Sequence, residues 1–352
     1  MADRFSCDGA TEVSSADEWR AALAEGARGA CVVANAGTYR GSFELPAGTR
    51  LLAREGAAVV FEGDAAAQPA LLLNGGEGTA LVGVTVRNAP GIGVFVRDGA
   101  ATVERVTVER AGATGLMVNC AGPGCLEDRA QVEIRESQLR SNEVGLWAVG
   151  ARVRVAGGVV AEQASTKLTG GWGVLASNGA RLEMNGTEVT GNEEIGVLVD
   201  GVGGTSSTLT DVKVLDNKGR GIWAQKLDGT DQDPRLRIQG EATEIRGNHI
   251  VGIGARNSKG IIVVNGKVSG TRARDIQTDF NRTEAVGDGV GLFENTGFVT
   301  LDNLSLEENA RTQMLVDRGD KGIIVVNGKV SAGAGRYKVV VQRTAAEVTI
   351  PA

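Results

Sequence analysis

The sequence predicts an all-β solenoid, a right-handed parallel β-helix of about eleven coils closed at its N-terminal end by a short capping helix. Three observations lead there. The stretch KGIIVVNGKVS occurs at Lys259 to Ser269 and again at Lys321 to Ser331, letter for letter and 62 residues apart. A looser unit recurs through most of the chain, and internal repetition is the sequence mark of a repeat architecture. Gly is abundant, 52 of 352 residues, while aromatics make up 4% and apolar residues 42%. That mixture favours many short strands joined by tight turns over a helical bundle.

Each unit opens on an apolar alternation, as in VTVERAGATGLMV, SQLRSNEVGLWAV, TEVTGNEEIGVLV, VKVLDNKGRGIWA, TEIRGNHIVGIGA and LSLEENARTQMLV. An Asn or small residue follows three places after the last inward residue. It is Asn142, Asn192, Asn217, Asn248 or Asn309, with Ala89 and Ala111 at matching places earlier. Usually four places later a Gly opens a second alternation, at Gly93, Gly115, Gly145, Gly173, Gly196, Gly221, Gly252 and Gly291, with Gln313 in the last clear copy. A third strand completes the unit, seen in ARVRVAG, ARLEMNG, RLRIQG and both copies of GIIVVNG. Period-two alternation makes each piece a half-buried strand, and units this short cannot bury their apolar faces alone. They must stack into coils about 4.8 Å apart, with inward Val, Ile and Leu filling the centre. The Asn residues are expected at sharp turns, because Asn tolerates left-handed geometry and its side chain bonds nearby backbone; stacked Asn can also bond up and down the column. Both copies of KGIIVVNGKVS are expected to form the third strand, turn at Asn-Gly and begin the next strand, as equivalent parts of two coils.

These repeats resemble the pectate-lyase-like superfamily of right-handed β-helices, including its uncharacterised bacterial repeat proteins, from about Cys31 to the C-terminus. The resemblance is specific for fold and much less so for activity. SSADEWRAALAEGARGACVVANAGTYRG looks like the N-terminal segment of that superfamily, where a short helix precedes a strand ending in Gly-Thr-Tyr. Ser15 and Asp17 are candidate caps of this helix, and Trp19 with Leu23 can lie over the open end of the column. The expected division is a cap segment at 1–30 and one β-helix domain at 31–352, with no linker-like shift in composition.

The formal net charge is −6, with no basic block, so nucleic acid is not an expected partner, and no apolar run is long enough to span a bilayer. The four Cys fall as Cys7 with Cys31 and Cys120 with Cys125. An even count with one tight loop favours disulfides and an oxidising compartment over metal binding, since no His sits near. The opening MADRFSCDG lacks a charged and then apolar leader. The expectation is therefore a secreted, periplasmic or cell-surface protein whose signal peptide has been removed.

Function is sought on outward faces. In the strand that follows the Asn turn, the outward residue between the two inward ones reads Phe95, Met117, Trp147, Leu175, Leu198, Trp223, Gly254, Phe293 and Leu315 down the stack. The strand before the turn shows Thr85, Thr107, Gln138, Glu188, Lys213, Glu244 and Ser305, an ordinary solvated face. A bare apolar row some 30 Å long, at about 4.8 Å per coil, is rarely left in water. It is expected to be covered by part of the chain, to serve self-association or a protein partner, or to stack sugars on Trp147, Trp223 and Phe95. Long inserts such as ASTKLTGGW and TRARDIQTDFNRTEAVGDG fall beside this strand and could wall a groove.

Catalytic marks of the superfamily are not matched. The Asp-pair and Gly-His-Gly motifs of polygalacturonase-like hydrolases, the Asp-Pro-His-Asp of alginate epimerases and the Arg-x-Pro-x-x-Arg of pectate lyases do not occur. The single histidine, His249, sits in a repeat turn with no visible oriented partner. Asp228, Asp231 and Asp233, with Lys226 nearby, could offer oxygens to Ca²⁺, but their spacing is not that of an EF-hand and a solvated acidic loop is the expectation. No cofactor is expected. The predicted function is a non-catalytic extracytoplasmic binding or self-assembling surface module, the alternative being a polysaccharide lyase or epimerase acting on acidic polysaccharide in a groove on the same face.

Overall fold

The computed structural model of the chain describes residue 7 and residues 9–23, 29–120, 130–165, 170–277, 283–294, 296–318, 323–327, 337–344 and 347–349. Among the described residues, three sheets of 14, 13 and 11 strands build a right-handed parallel β-helix, called here the first, third and second sheet by their order within a coil; one of the 13, Arg274–Gln277, is antiparallel and lies off the stack. One coil shows the plan. Gln131–Arg135 lies in the first sheet, Gln138–Arg140 in the second and Val144–Val149 in the third, each parallel to its counterpart in the next coil. Both corners of this coil pass through left-handed backbone at non-glycine residues, Glu136 at φ 47° and Ser141 at φ 54°. Such geometry is unfavourable for an isolated residue, so it persists because ladders on both sides determine it. Eleven strands in the second sheet correspond to the eleven coils expected.

Alternation explains the core. Val94 and Val96, Leu116 and Val118, and Ile222 and Ala224 are all fully buried. Burying each such Val, Leu or Ile is worth about 1.5–3 kcal/mol.

Asn142, Asn192, Asn217, Asn248 and Asn309 are at most 2% exposed and line one corner of the column. Each side-chain oxygen accepts the backbone N–H one coil below, as from Asn192 N to Asn217 Oδ1 at 3.0 Å and from Asn217 N to Asn248 Oδ1 at 3.1 Å. Gln163 stands in this series between Asn142 and Asn192, accepting from Asn142 N at 2.7 Å while its own N–H donates to Asn192 Oδ1 at 3.1 Å. Thr271 takes the place between Asn248 and Asn309, and its hydroxyl is buried without a hydrogen-bond partner. The recurrent Gly has the same cause. A Cβ on Gly196 would lie 2.8 Å from Asn217 Nδ2, and one on Gly221 the same distance from Asn248 Nδ2, so the amide column excludes a side chain there. Ile253 pairs with Val290 and Val290 with Met314, which makes Gly289 the counterpart of Gly252 and Gln313. The expected assignment of Gly291 to that position is thereby corrected by two residues.

At the N-terminal end the helix Ala16–Ala22 begins at Ser15, whose Oγ accepts from Glu18 N at 3.2 Å. Asp17 is not a cap; it lies in the first turn and pairs with Arg20 at 2.9 Å. Trp19, 1% exposed, packs edge-on against Phe43 and Phe61, with ring centroids 5.8 and 5.5 Å away. The Cys7–Cys31 disulfide ties the leading segment to strand Cys31–Ala34, and the first sheet already begins with Thr11–Val13. Cys120 is also disulfide-bonded, while Cys125 lies outside the described residues.

The two identical stretches occupy the same sheet but not the same register. Lys259–Val264 and Ile323–Asn327 lie on either side of Gly297–Asp302. Val299 faces Ile261 on one side and Ile324 on the other, whereas repeat-equivalent pairing would place Ile323 there. In the first copy Ile261 and Val263 are buried, and in the second Ile324 and Val326 are. The expectation of equivalent placement is thus corrected: a shift of one residue exchanges the inward and outward sets.

Candidate functional site

Strand register brings most of the outward row together on the third sheet. Phe95, Met117, Trp147, Leu175, Leu198, Trp223, Gly254, Gly291 and Leu315 are successive partners across nine strands. Phe293 is placed differently, opposite Arg256 and Asp317. Its ring nevertheless reaches back over Gly291, where a Cβ would collide with it, and lies 6.0 Å from the Trp223 ring. Trp223 covers Gly254 in the same way. Thus the two glycines of the row hold the aromatic rings of their neighbours.

The row is not a bare stripe. Leu175, Leu198 and Leu315 are 5–7% exposed, and among the described residues the exposed large hydrophobics are Val202 and Val341, neither of which belongs to the row. A second outward row explains this, formed by Val144, Trp172, Ile195, Arg220 and Val251. Val144, Leu175, Ile195 and Leu198 pack together under half-buried Trp147, Trp172 and Trp223. Trp172 was missed in the sequence because it ends an insert; the Gly-Trp-Gly at 171–173 was the available signal.

Polar side chains fix the rings. Trp147 Nε1 donates to Ser177 Oγ at 3.0 Å, and Trp223 Nε1 to Gln225 Oε1 at 3.4 Å. Gln225 Nε2 donates in turn to Asp200 Oδ2 at 3.0 Å. Arg220 lies over the Trp223 ring, its guanidinium 4.6 Å from the ring centroid. Burial lowers the Arg220 pKa, Glu194 opposes that shift, and Arg274 and Arg256 add to it. The Arg220 Nε is buried without a hydrogen-bond partner.

The long insert supplies a wall. Strand Arg274–Gln277 runs antiparallel to the start of Thr283–Phe293 and sets Ile276 and Val286 against Ile250, Val251 and Trp223. Arg274 Nη1 donates to the Lys218 carbonyl at 2.8 Å, and Arg272 pairs with Asp216 at 3.0 Å. His249 bridges Arg272 through its backbone, and its imidazole is held below its ordinary pKa by burial and by Arg272 and Arg274. Residues 166–169 of the shorter insert and 121–125 of the Cys120 to Cys125 loop lie outside the described residues.

Asp288, fully buried in this wall, has both oxygens bound by Arg311. Burial pushes its carboxyl above the ordinary range against the pull of that guanidinium. With both oxygens engaged it does not face the rings as a free base. Among the described residues no group of three or more His, Cys, Asp or Glu is placed to hold a metal ion. Asp233 pairs with Arg235 at 3.2 Å, and Asp228 forms a backbone bridge to Lys259. No helix among the described residues is long and apolar enough to cross a membrane.

Comparison with known proteins agrees with this architecture. Residues 69–265 match the family model described as the right handed beta helix region. No curated protein matches the chain in sequence. Among solved structures, the Dettilon tailspike protein is similar with a TM-score of 0.64 and 14% identity, over 93% of this chain. The chain spans 64% of that tailspike's length. The A-module of the Azotobacter vinelandii mannuronan C-5 epimerase AlgE4 is similar at a TM-score of 0.59 and 13% identity, covering 98% of this chain and 97% of its own. The periplasmic alginate epimerase AlgG gives 0.56 and 13%, over 97% and 84%. At these identities the likeness is one of fold.

Proposed function

Since the chain belongs to the right handed beta helix family and has the pectate-lyase-like fold, we propose that it is a non-catalytic extracytoplasmic module that binds a linear polysaccharide along the third sheet. The observation that carries this reading is the set of half-buried rings on this face, Trp147 and Trp223 in the row, Trp172 in the row beside it and Phe293 reaching over Gly291, with Trp147 and Trp223 held by bonds from their indole N–H groups. Trp147 and Trp223 stand three coils apart, about 14 Å at 4.8 Å per coil. Rigid rings with one apolar face and a polar flank suit a ligand that is itself apolar on its ring faces and polar at its edges. Self-association through a greasy stripe is less well supported, because the aliphatic members of the row are already covered by those rings. Arg220, whose Nε has no hydrogen-bond partner, favours an acidic chain over a neutral one, while Arg256 and Arg274 beside it are paired with Glu294 and Glu194. Tailspike and alginate-epimerase names among the fold neighbours accord with a polysaccharide, and the Cys7–Cys31 disulfide accords with an oxidising compartment.

Affinity electrophoresis in gels carrying alginate, polygalacturonate or a neutral glucan tests the reading. The native chain should be retarded by an acidic polymer, and a Trp147→Ser, Trp223→Ser double variant should run freely. Equal mobility of the two proteins in every gel overturns it. Release of unsaturated product from a uronate polymer would establish the lyase reading instead, and a changed uronate composition the epimerase reading.

A further inference from the structure

A concavity lies on the outer face of the first sheet, away from the aromatic row. It is a cleft of about 270 Å³, near the lower end of the roughly 300–1,000 Å³ of small-molecule sites. Its shape follows from the register. Ala100, Gln131, Arg152 and Arg181 are successive partners in one outward row, and Thr102, Glu133, Arg154 and Glu183 in the next. Side chains therefore lengthen from coil to coil, leaving a floor of Gly, Ala and Thr below a wall that includes Arg152 and Arg154.

Charge in this wall is unbalanced. Arg152 Nη2 and Arg154 Nε donate to the two oxygens of Glu183 at 2.9 and 2.8 Å, and Arg181 Nε lies 3.5 Å from the same carboxylate. Glu133 is matched by its own partner, Arg135. Three guanidiniums thus share one carboxylate, a local excess of two positive charges on a chain whose net charge is −6. Arg152 and Arg154 each make a single hydrogen bond, and the Arg152 Nε is buried with no acceptor. That Nε is out of a ligand's reach, and an oxyanion in the cleft would be met by the remaining N–H groups of the two guanidiniums, whose side chains are 25% and 54% exposed.

We propose that this cleft binds a small phosphate monoester, with the phosphoryl oxygens on Arg152 and Arg154 and a compact neutral body on the floor at Ala80, Ala100 and Thr102. Two uncompensated charges match a phosphate monoester, which carries about −1.5 to −2 near neutral pH, better than a singly charged sulfate ester. Arg supplies paired donors for such a group.

Titration calorimetry of the full chain with glucose 6-phosphate, glucose 6-sulfate and glucose tests this. The phosphate ester should bind saturably, the sulfate ester more weakly, and glucose without measurable heat. Arg154→Gln should weaken the ester about tenfold, the loss expected for one charge-assisted hydrogen bond. Thr102→Trp, which fills the floor and leaves every charge in place, should weaken the ester while sparing inorganic phosphate. Arg237→Gln, farther along the same sheet, is the control for general charge. Absence of saturable binding overturns the proposal, as does ester binding that is unchanged in both Arg154→Gln and Thr102→Trp.

Discussion

Lys259–Val264 and Ile323–Asn327 belong to identical stretches in one sheet, separated by a single strand, yet they present opposite faces to the core. Ile262 is half-buried outside while its equivalent, Ile324, is fully buried; Val263 is fully buried while its equivalent, Val325, is half-buried. The run Ile-Ile-Val-Val explains how this is possible, since either register buries two branched aliphatics. Contrast Arg152–Ala156, where ArgValArgValAla allows only one choice without burying Arg. Local sequence can thus define a strand without defining which way it faces. The neighbours then decide: the first copy lies between Leu236–Gln239 and Gly297–Asp302, well inside the stack, and the second lies one strand from its end.

Alanine substitution at equivalent sites should separate the copies most strongly. Ile324→Ala and Val263→Ala are expected to cost about 2–5 and 1–3 kcal/mol, while Ile262→Ala and Val325→Ala stay within about 1 kcal/mol. Because a solenoid loses stability locally, hydrogen exchange of the affected coil is the measurement; equal protection losses at Ile262 and Ile324 would refute the register difference. A smaller effect is expected at the turn that follows the first copy. Thr271→Asn should restore the amide column between Asn248 and Asn309 and stabilise the chain by about 0.5–1.5 kcal/mol in urea unfolding. Smaller again, Val264→Thr should leave stability within about 0.5 kcal/mol while making the shifted register of the first copy bury a hydroxyl, so that its own register survives in a fragment lacking the last coils.

The smallest effect concerns pH and the hairpin that follows the first copy. His249 has a folded-state pKa below its ordinary 6.5, so the fold prefers it neutral. Its contribution is fully present above about 6.5 and is lost as pH falls through the lower, folded value. Protection factors at Arg274–Gln277, taken relative to the intrinsic exchange rate at each pH, should therefore fall on acidification, and His249→Gln should flatten that fall.

Much of the fold was legible in the sequence, because stacked coils repeat the same physical demands. Asn217 and Gly196 recur in their patterns because one carboxamide occupies the space a Cβ would need. Gln163 and Thr271 hid in the same column, being polar residues that fill its place with different letters. Parity was legible for Phe95 through Trp223, where each strand has one Gly to set its phase. It failed at Phe293, since Gly287, Gly289 and Gly291 alternate in one long strand and offer several phases. The hairpin wall was illegible because antiparallel pairing of Arg274–Gln277 with Thr283–Val286 breaks the repeat's own rule. The cleft beside Arg152 was illegible for another reason: it arises from side-chain length changing between coils, which only the register aligns.

The fixed rise between coils has one more consequence. Trp147 and Trp223 are mounted like marks on a ruler, so removing one complete coil between them would shorten their spacing by a single step, with the loss of Ser177 beside Trp147 or of Leu198 and Asp200 beside Trp223. On the proposed polysaccharide reading, ligand length preference would then change in steps of one coil, about 4.8 Å.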